Sequence, residues 1–234
     1  GELTLDCPPL SGPQKGTLAG EDIPFGQAPG GVKPYDVMNS GYQYLYNVRK
    51  SMVDSPFSAL WVMKDGVKFR ASFIPDDSCT FISAEGYPRP STKSLPPMPF
   101  LLLRQESGDG SGESRFVAVL NVEKDTPFVK EVRSIELSGN PDASGCAIVV
   151  KHAYGEDVIV STTSPEARMK SMDGAIELQG MLGVAVQREG KPVKLILAGG
   201  TEFRAAGETV RQKTPYFSAA VREVSDTLLS LDRP

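Results

Sequence analysis

Apolar and polar residues alternate in short runs along most of the chain, and each run closes on turn residues. RFVAVLNVEK (115–124), VRSIELSG (132–139), GCAIVVKHAYG (145–155) and DVIVSTT (157–163) all repeat at period two. That is the spacing of a half-buried strand, not of a helix. FSALWVMKDGVKFRASFIP reads as a hairpin: Phe57–Met63 and Val67–Ile74 flank Asp65-Gly66, the residue pair preferred where a two-residue turn needs positive φ. CTFISAEGYP, MPFLLLRQE (a buried strand), IELQG, MLGVAVQREG, KPVKLILAGGTEFRAAG, YFSAAVREVS and TLLSL supply further strands. GYQYLYNVRK (41–50) places Tyr42, Tyr44 and Tyr46 at period two, so it predicts a strand with the three rings on one face. Tyr154 to Asp157 reads as a hairpin turn, and the polar stretch 164–174 is the one place for a short helix.

The sum is roughly thirteen short strands with turns about every ten residues. This predicts an all-β chain, a large antiparallel two-sheet β-sandwich of supersandwich type with little or no helix. No period of about 40–50 residues recurs, which argues against a propeller. Residues 1–34 read as an irregular Gly/Pro-rich lead-in or linker, with one short strand near Glu2–Leu5, and residues 35–234 as a single sandwich domain. The proline-rich run 87–99 is the alternative break between two domains. ESGDGSGE (106–113) reads as a mobile acidic loop.

Composition narrows the function. The 23 Gly and 19 Pro are dispersed, as turns between many strands require, and 40% apolar content is enough for a core. No apolar run approaches the ~18 residues of a membrane helix. A net charge of −4 with scattered Lys and Arg argues against nucleic acid as a partner. The single histidine, His152, excludes any metal site built on two or more histidines from this chain, and no cofactor or metal is expected. Cys7, Cys79 and Cys146 have no CxxC spacing; free thiols are preferred, and one disulfide remains open.

Candidate chemistry is sparse. His152 ends a predicted strand beside a turn, partly exposed and with no partner evident in sequence. The carboxylate pairs Glu21/Asp22, Asp76/Asp77 and Glu156/Asp157 lie where Asp and Glu belong as solvated turn residues. Gly199-Gly200 lacks the Lys-Ser/Thr of a phosphate loop and reads as a turn between strands. No catalytic residue is assigned. The aromatic cluster is more suggestive: Tyr44, Tyr46, Asn47 and Arg49, with Trp61 on the next strand, are candidate carbohydrate-binding residues. Aromatic faces flanked by amide and guanidinium donors suit a sugar ring, which has C–H faces and hydroxyl edges. The competing reading is packing between sheets.

The order of the segments resembles the C-terminal β-sandwich of the heparinase II/III-like polysaccharide lyases. GYQYLYNVRK, SALWVMKDG, FRASFIPDD and FLLLRQE are followed by SRFVAVLNVEKDTPFVKEVRSIEL, AIVVKHAYGEDVIVSTT and LQGMLGVAVQREGKPVKLILAGGTEFR. The resemblance covers roughly residues 35–206 and consists of strand segments, not a catalytic motif. It implies a non-catalytic partner domain, inactive alone, packing against an upstream α/α toroid and helping to form a cleft for an acidic polysaccharide. It also implies a periplasmic or extracellular location. His152 matches no family catalytic or metal-binding position, so no residue role is carried over. A stand-alone carbohydrate-binding or structural sandwich is the alternative.

Overall fold

The computed structural model describes residues 2–27, 30, 41–75, 78–87, 95–105, 114–140 and 144–214, with the backbone of two further strands at 220–224 and 229–232. The Asp76/Asp77 pair, most of the proline-rich run and the 106–113 loop lie outside them. The chain is all-β and antiparallel, and the described residues contain no α-helix. Contacts gather into two compact units, Gly1–Lys124 and Asp125–Pro234, where the sequence reading places one domain over 35–234.

The first unit is a sandwich of two sheets. Strands β1 (Glu2–Asp6), β3 (Phe57–Val62), β4 (Lys68–Pro75) and β7 (Phe116–Glu123) form one in the order β1-β3-β4-β7. Strands β2 (Tyr46–Val53), β5 (Cys79–Gly86) and β6 (Met98–Arg104) form the other, in the order β2-β5-β6. Between them Val53, Phe57, Cys79 and Phe81 are buried, with Leu5, Phe73, Leu101 and Leu103 packed around. Both cysteines here are free, and burial raises the pKa of Cys7 and Cys79 above the ordinary thiol value. The β3–β4 hairpin forms as expected: Gly66 takes φ 80°, and Asp65 Oδ1 accepts the amide of Val67 at 3.2 Å. Strand β6 is half-buried and not fully buried, because β2-β5-β6 ends on it.

The lead-in is part of the fold. Beyond β1, the amides of Ser11, Gln14 and Leu18 donate to the carbonyls of Lys50, Val48 and Leu45 at 2.7–2.8 Å. The strap thus closes the open edge of β2. Leu18 also packs on Leu45, Val48, Ile82 and Ala84, covering the second face of the three-stranded sheet.

The second unit is one curled eight-stranded sheet. Strands β8 (Val129–Ile135), β10 (Gly145–His152), β11 (Gly155–Thr162), β13 (Glu177–Arg188), β14 (Lys191–Ala205) and β15 (Glu208–Arg211) run in the order β15-β14-β13-β11-β10-β8, and β9 (Leu137–Gly139) and β12 (Arg168–Ser171) join through β13. Its core comes from the sheet's own strands: Ala147, Val149, Val158, Val160, Leu178, Ala185 and Phe203. A sheet that packs its own face in this way is close to a barrel. A hairpin, β16 (Ala220–Val224) with β17 (Leu229–Asp232), follows.

Two local expectations are corrected here. The 164–174 stretch forms β12 and not a helix, because Ala167, Met169 and Ser171 are buried at alternate positions. Gly199-Gly200 is not a turn between strands but lies inside the fifteen-residue β14. There Gly180 faces Gly200 across a register slip, and neither position has room for a Cβ. The bulge therefore lets β13 and β14 continue as one long pair.

Candidate functional site

The tyrosine cluster folds differently from a strand. Tyr42–Tyr44 forms a single 3-10 turn, and β2 starts at Tyr46. The three rings therefore do not share a strand face. A register shift between Tyr46 and Arg49 bulges β2, with Asn47 at φ 50°. This left-handed conformation suits asparagine better than most residues, and it lets Asn47 Nδ2 donate to Glu85 Oε1 at 2.6 Å.

Around this bulge sits an aromatic cavity. Phe25, on the strap, stands edge-on to Tyr44, Tyr46 and Tyr87 with centroids 5.7, 5.7 and 6.0 Å away. Tyr46 and Tyr87 stack at 5.9 Å and 27°. The amide of Gly26 donates to Gln43 O at 2.9 Å and fixes the strap there. The cavity has a volume of about 340 Å³ and is lined by Lys15, Gly16, Thr17, Pro24, Phe25, Tyr46 and Tyr87. Thr17 is 1% exposed, and its hydroxyl oxygen has no partner among the described residues. Burial, then hydrogen bonding to Tyr87, then the nearby charge of Glu85 push the Tyr46 phenol well above its ordinary range.

Of the candidate residues, Tyr44, Tyr46 and Asn47 meet here. Arg49 is exposed further along β2, opposite Ser83. Trp61 lies on the other sheet, half-buried and tilted against Phe69 at 5.3 Å. Phe25, Tyr87, Glu85 and Lys15 complete the site and are missing from the sequence reading. The strap that carries Phe25 and Lys15 has no periodicity to reveal it, and Tyr87 is visible only as the residue ending the strand opposite Tyr46.

The second unit holds a polar clasp. His152 is not partly exposed but 5% exposed, and it does have partners. Cross-strand register puts His152, Gly155 and Arg188 in one row on β10, β11 and β13. Gly155 sits between with no side chain, so Arg188 Nη1 reaches within 3.2 Å of His152 Nε2. Asp157 bridges both, at 2.9 Å from Arg188 and 3.4 Å from His152. Asp157 is thus a paired residue within β11 and not a solvated turn carboxylate, whereas Glu21 and Asp22 are exposed turn residues as expected. The Tyr154 amide donates to His152 Nδ1 at 3.2 Å, so the neutral ring carries its proton on Nε2, facing Asp157. Phe128 stacks on the ring at 5.1 Å. Both ring nitrogens are engaged within the protein, which fits a structural clasp better than a free base.

Glu123 is a third polar centre. Its side chain is buried and accepts from Arg70 Nη2 at 3.1 Å and Asn121 Nδ2 at 3.0 Å. Among the described residues no three His, Cys, Asp or Glu side chains gather into a metal-binding group. No protein-family model, curated protein or solved structure matches the chain.

Proposed function

We propose that this chain is a glycan-binding β-sandwich protein that binds an acidic polysaccharide without turning it over, the partner portion of a heparinase II/III-like lyase whose catalytic α/α toroid lies upstream. A periplasmic or extracellular setting belongs to the same proposal. The order of strand segments supports the family reading. The cavity of Phe25, Tyr46 and Tyr87 supports the glycan reading, and it is the observation that carries the conclusion.

Its chemistry fits a sugar. Stacked and edge-on rings offer apolar walls to C–H faces. The unpaired Thr17 hydroxyl offers a hydrogen bond to a sugar hydroxyl, and leaving such a buried group unmade costs about 1–3 kcal/mol. Lys15 in the wall supplies a cation for a uronate carboxylate. Glu85, the opposing charge, is held by Asn47 and Tyr46.

Calorimetric titration with uronate-containing oligosaccharides tests the reading. Binding is expected, and Tyr87→Ala should weaken it about tenfold or more, the scale of a lost aromatic contact of ~1.4 kcal/mol. Trp61→Ala, on the other sheet, should leave binding unchanged. The isolated chain should give no unsaturated uronate product by ultraviolet absorbance. Absence of binding, or equal loss in both variants, overturns the glycan reading; turnover by the chain alone overturns the non-catalytic one.

A further inference from the structure

The two sides of β12 differ sharply. Met169 and Ser171 are buried, at 6% and 4% exposure, and Arg168 and Lys170 alternate with them on the solvent side. Alternation sets the two cations on one face, about 6.6 Å apart along the strand, so both long side chains can reach one group. Lys170 lies opposite Ser138 of β9 on one side and opposite Glu177 of β13 on the other. A cavity of about 530 Å³ opens here, with Ser138, Asn140, Arg168, Met169, Lys170 and Glu177 in its wall. That volume is in the range of small-ligand sites.

The polar groups of this wall favour an anion. The amide of Arg168 donates to Asn140 Oδ1 at 3.2 Å, and the amide of Asn140 donates back to Arg168 O at 3.3 Å. The first bond orients the Asn140 side chain: its oxygen faces the strand, and its Nδ2 donor is left without a partner among the described residues. Among the described residues Glu177 is the one carboxylate in the wall, and it is drawn to the side away from Lys170. There Arg204 of β14 stands opposite it and holds Oε2 at 2.8 Å. Arg211 is likewise spent on Glu202, at 2.8 Å. Arg168 and Lys170 have no carboxylate within ion-pair reach among the described residues. The cavity therefore presents two uncommitted cations and one oriented amide donor, in a chain whose net charge is −4. A recess walled by one sign of charge concentrates the opposite sign.

We propose that this cavity is an oxyanion site, in which Arg168, Lys170 and Asn140 Nδ2 hold a sulfate or carboxylate group of an acidic polysaccharide. It is a second docking point, built from side chains of the second unit alone, and it rests on the proposed function for the source of the anion. The Arg168 guanidinium offers such a group two parallel N–H donors, and Lys170 offers a point charge. Asn140 Nδ2 adds a neutral donor of fixed direction. All three residues are exposed, so water stays close to the charges and binding should weaken as salt rises.

Nitrogen–proton correlation spectra of the full chain, titrated with a sulfated uronate disaccharide, test this. The Asn140 side-chain amide and the backbone amides of Arg168 and Lys170 should shift and saturate. The double variant Arg168→Gln, Lys170→Gln should weaken that binding about tenfold or more, the scale of one lost charge-assisted hydrogen bond. Both positions are exposed, so its circular dichroism should not change. Asn140→Asp keeps the acceptor for the Arg168 amide, replaces the donor by an anion and should abolish the response. Tyr87→Ala should leave the response intact. Shifts at Tyr46 and Tyr87 with none at Asn140 overturn the proposal and leave the glycan reading of the aromatic cavity standing. So does a response here that survives the double variant or Asn140→Asp, or one that is lost in Tyr87→Ala. Shifts here with none at Tyr46 and Tyr87 do the reverse, and silence at both sites overturns both. Inorganic phosphate that saturates these amides where the disaccharide does not overturns the polysaccharide as occupant.

Discussion

Replacing Gly183 by alanine adds one methyl group to the second unit and should cost more than almost any exposed substitution. Gly183 is buried on β13, and the ring of Phe203, 0% exposed on β14, lies directly over it. A Cβ at Gly183 would stand 2.6 Å from Cε2 and 2.7 Å from Cγ of that ring. Ordinary contacts between carbons lie at about 3.5–4.0 Å, so the ring must move by nearly an ångström. It has little room, because Leu178, Val160 and Ala185 surround it in the same core. Overpacking of this kind costs about 1–3 kcal/mol, a large part of a total stability of about 5–15 kcal/mol. Phe203→Ala removes every clashing atom, Cγ included, at the about 3–5 kcal/mol of a Phe→Ala truncation. If the clash is the cause, the two changes must not add. In the Phe203→Ala background Gly183→Ala should cost about nothing, and the coupling should equal the single penalty. Urea unfolding of the four proteins, with m held constant, measures the cycle. Additive penalties, or a harmless Gly183→Ala, would refute the packing described for this core.

Two further outcomes follow from the polar groups. The Tyr46 phenol should ionise later than the other tyrosines in an alkaline ultraviolet titration, and Tyr46→Phe should delete that late step; a titration unchanged by Tyr46→Phe contradicts the cavity's hydrogen bonding. Its folded pKa is raised, so this contribution to stability is complete below about pH 10, the unfolded value, and is lost as pH climbs past it. Gly155→Ala forces φ 153° on a residue with a Cβ, overlaps the Gln187 carbonyl oxygen and should cost about 1–3 kcal/mol. Because His152 is the sole histidine, long-range nitrogen–proton spectra should show a single Nε2–H tautomer in the native protein and a mixture in the variant.

Much of the strand pattern was legible, because sheets with one buried face write their period into the sequence. Strand β7 alternates exposed and half-buried residues without a break, and the Asp65-Gly66 turn carries its own chemistry. The failures have physical causes. Tyr42, Tyr44 and Tyr46 mimic period two, but a 3-10 turn and a bulge at Asn47 turn the rings of Tyr44 and Tyr46 toward Phe25 instead. Strand β12 hides because its buried positions, Met169 and Ser171, with Ala167 just before them, look polar and weak as a set. Gly180 read as a boundary, although facing Gly200 it is what keeps the long pair together. The clasp at His152 joins residues 31 and 36 positions apart, and only a known strand order brings Asp157, Arg188 and the gap at Gly155 into line.

The strap over β2 bears on how this protein can be divided. A fragment begun at the first regular strand after it, at Tyr46, would keep every strand of the three-stranded sheet and still lose what completes it. Two backbone carbonyls of that sheet, those of Val48 and Lys50, would return to water, Val48, Ile82 and Ala84 would lose the cover of Leu18, and the cavity would lose Phe25 and Lys15 together. The smallest transplantable form of this cavity therefore begins among residues that form no ladder of their own, and its boundary is drawn by hydrogen bonds to its neighbour.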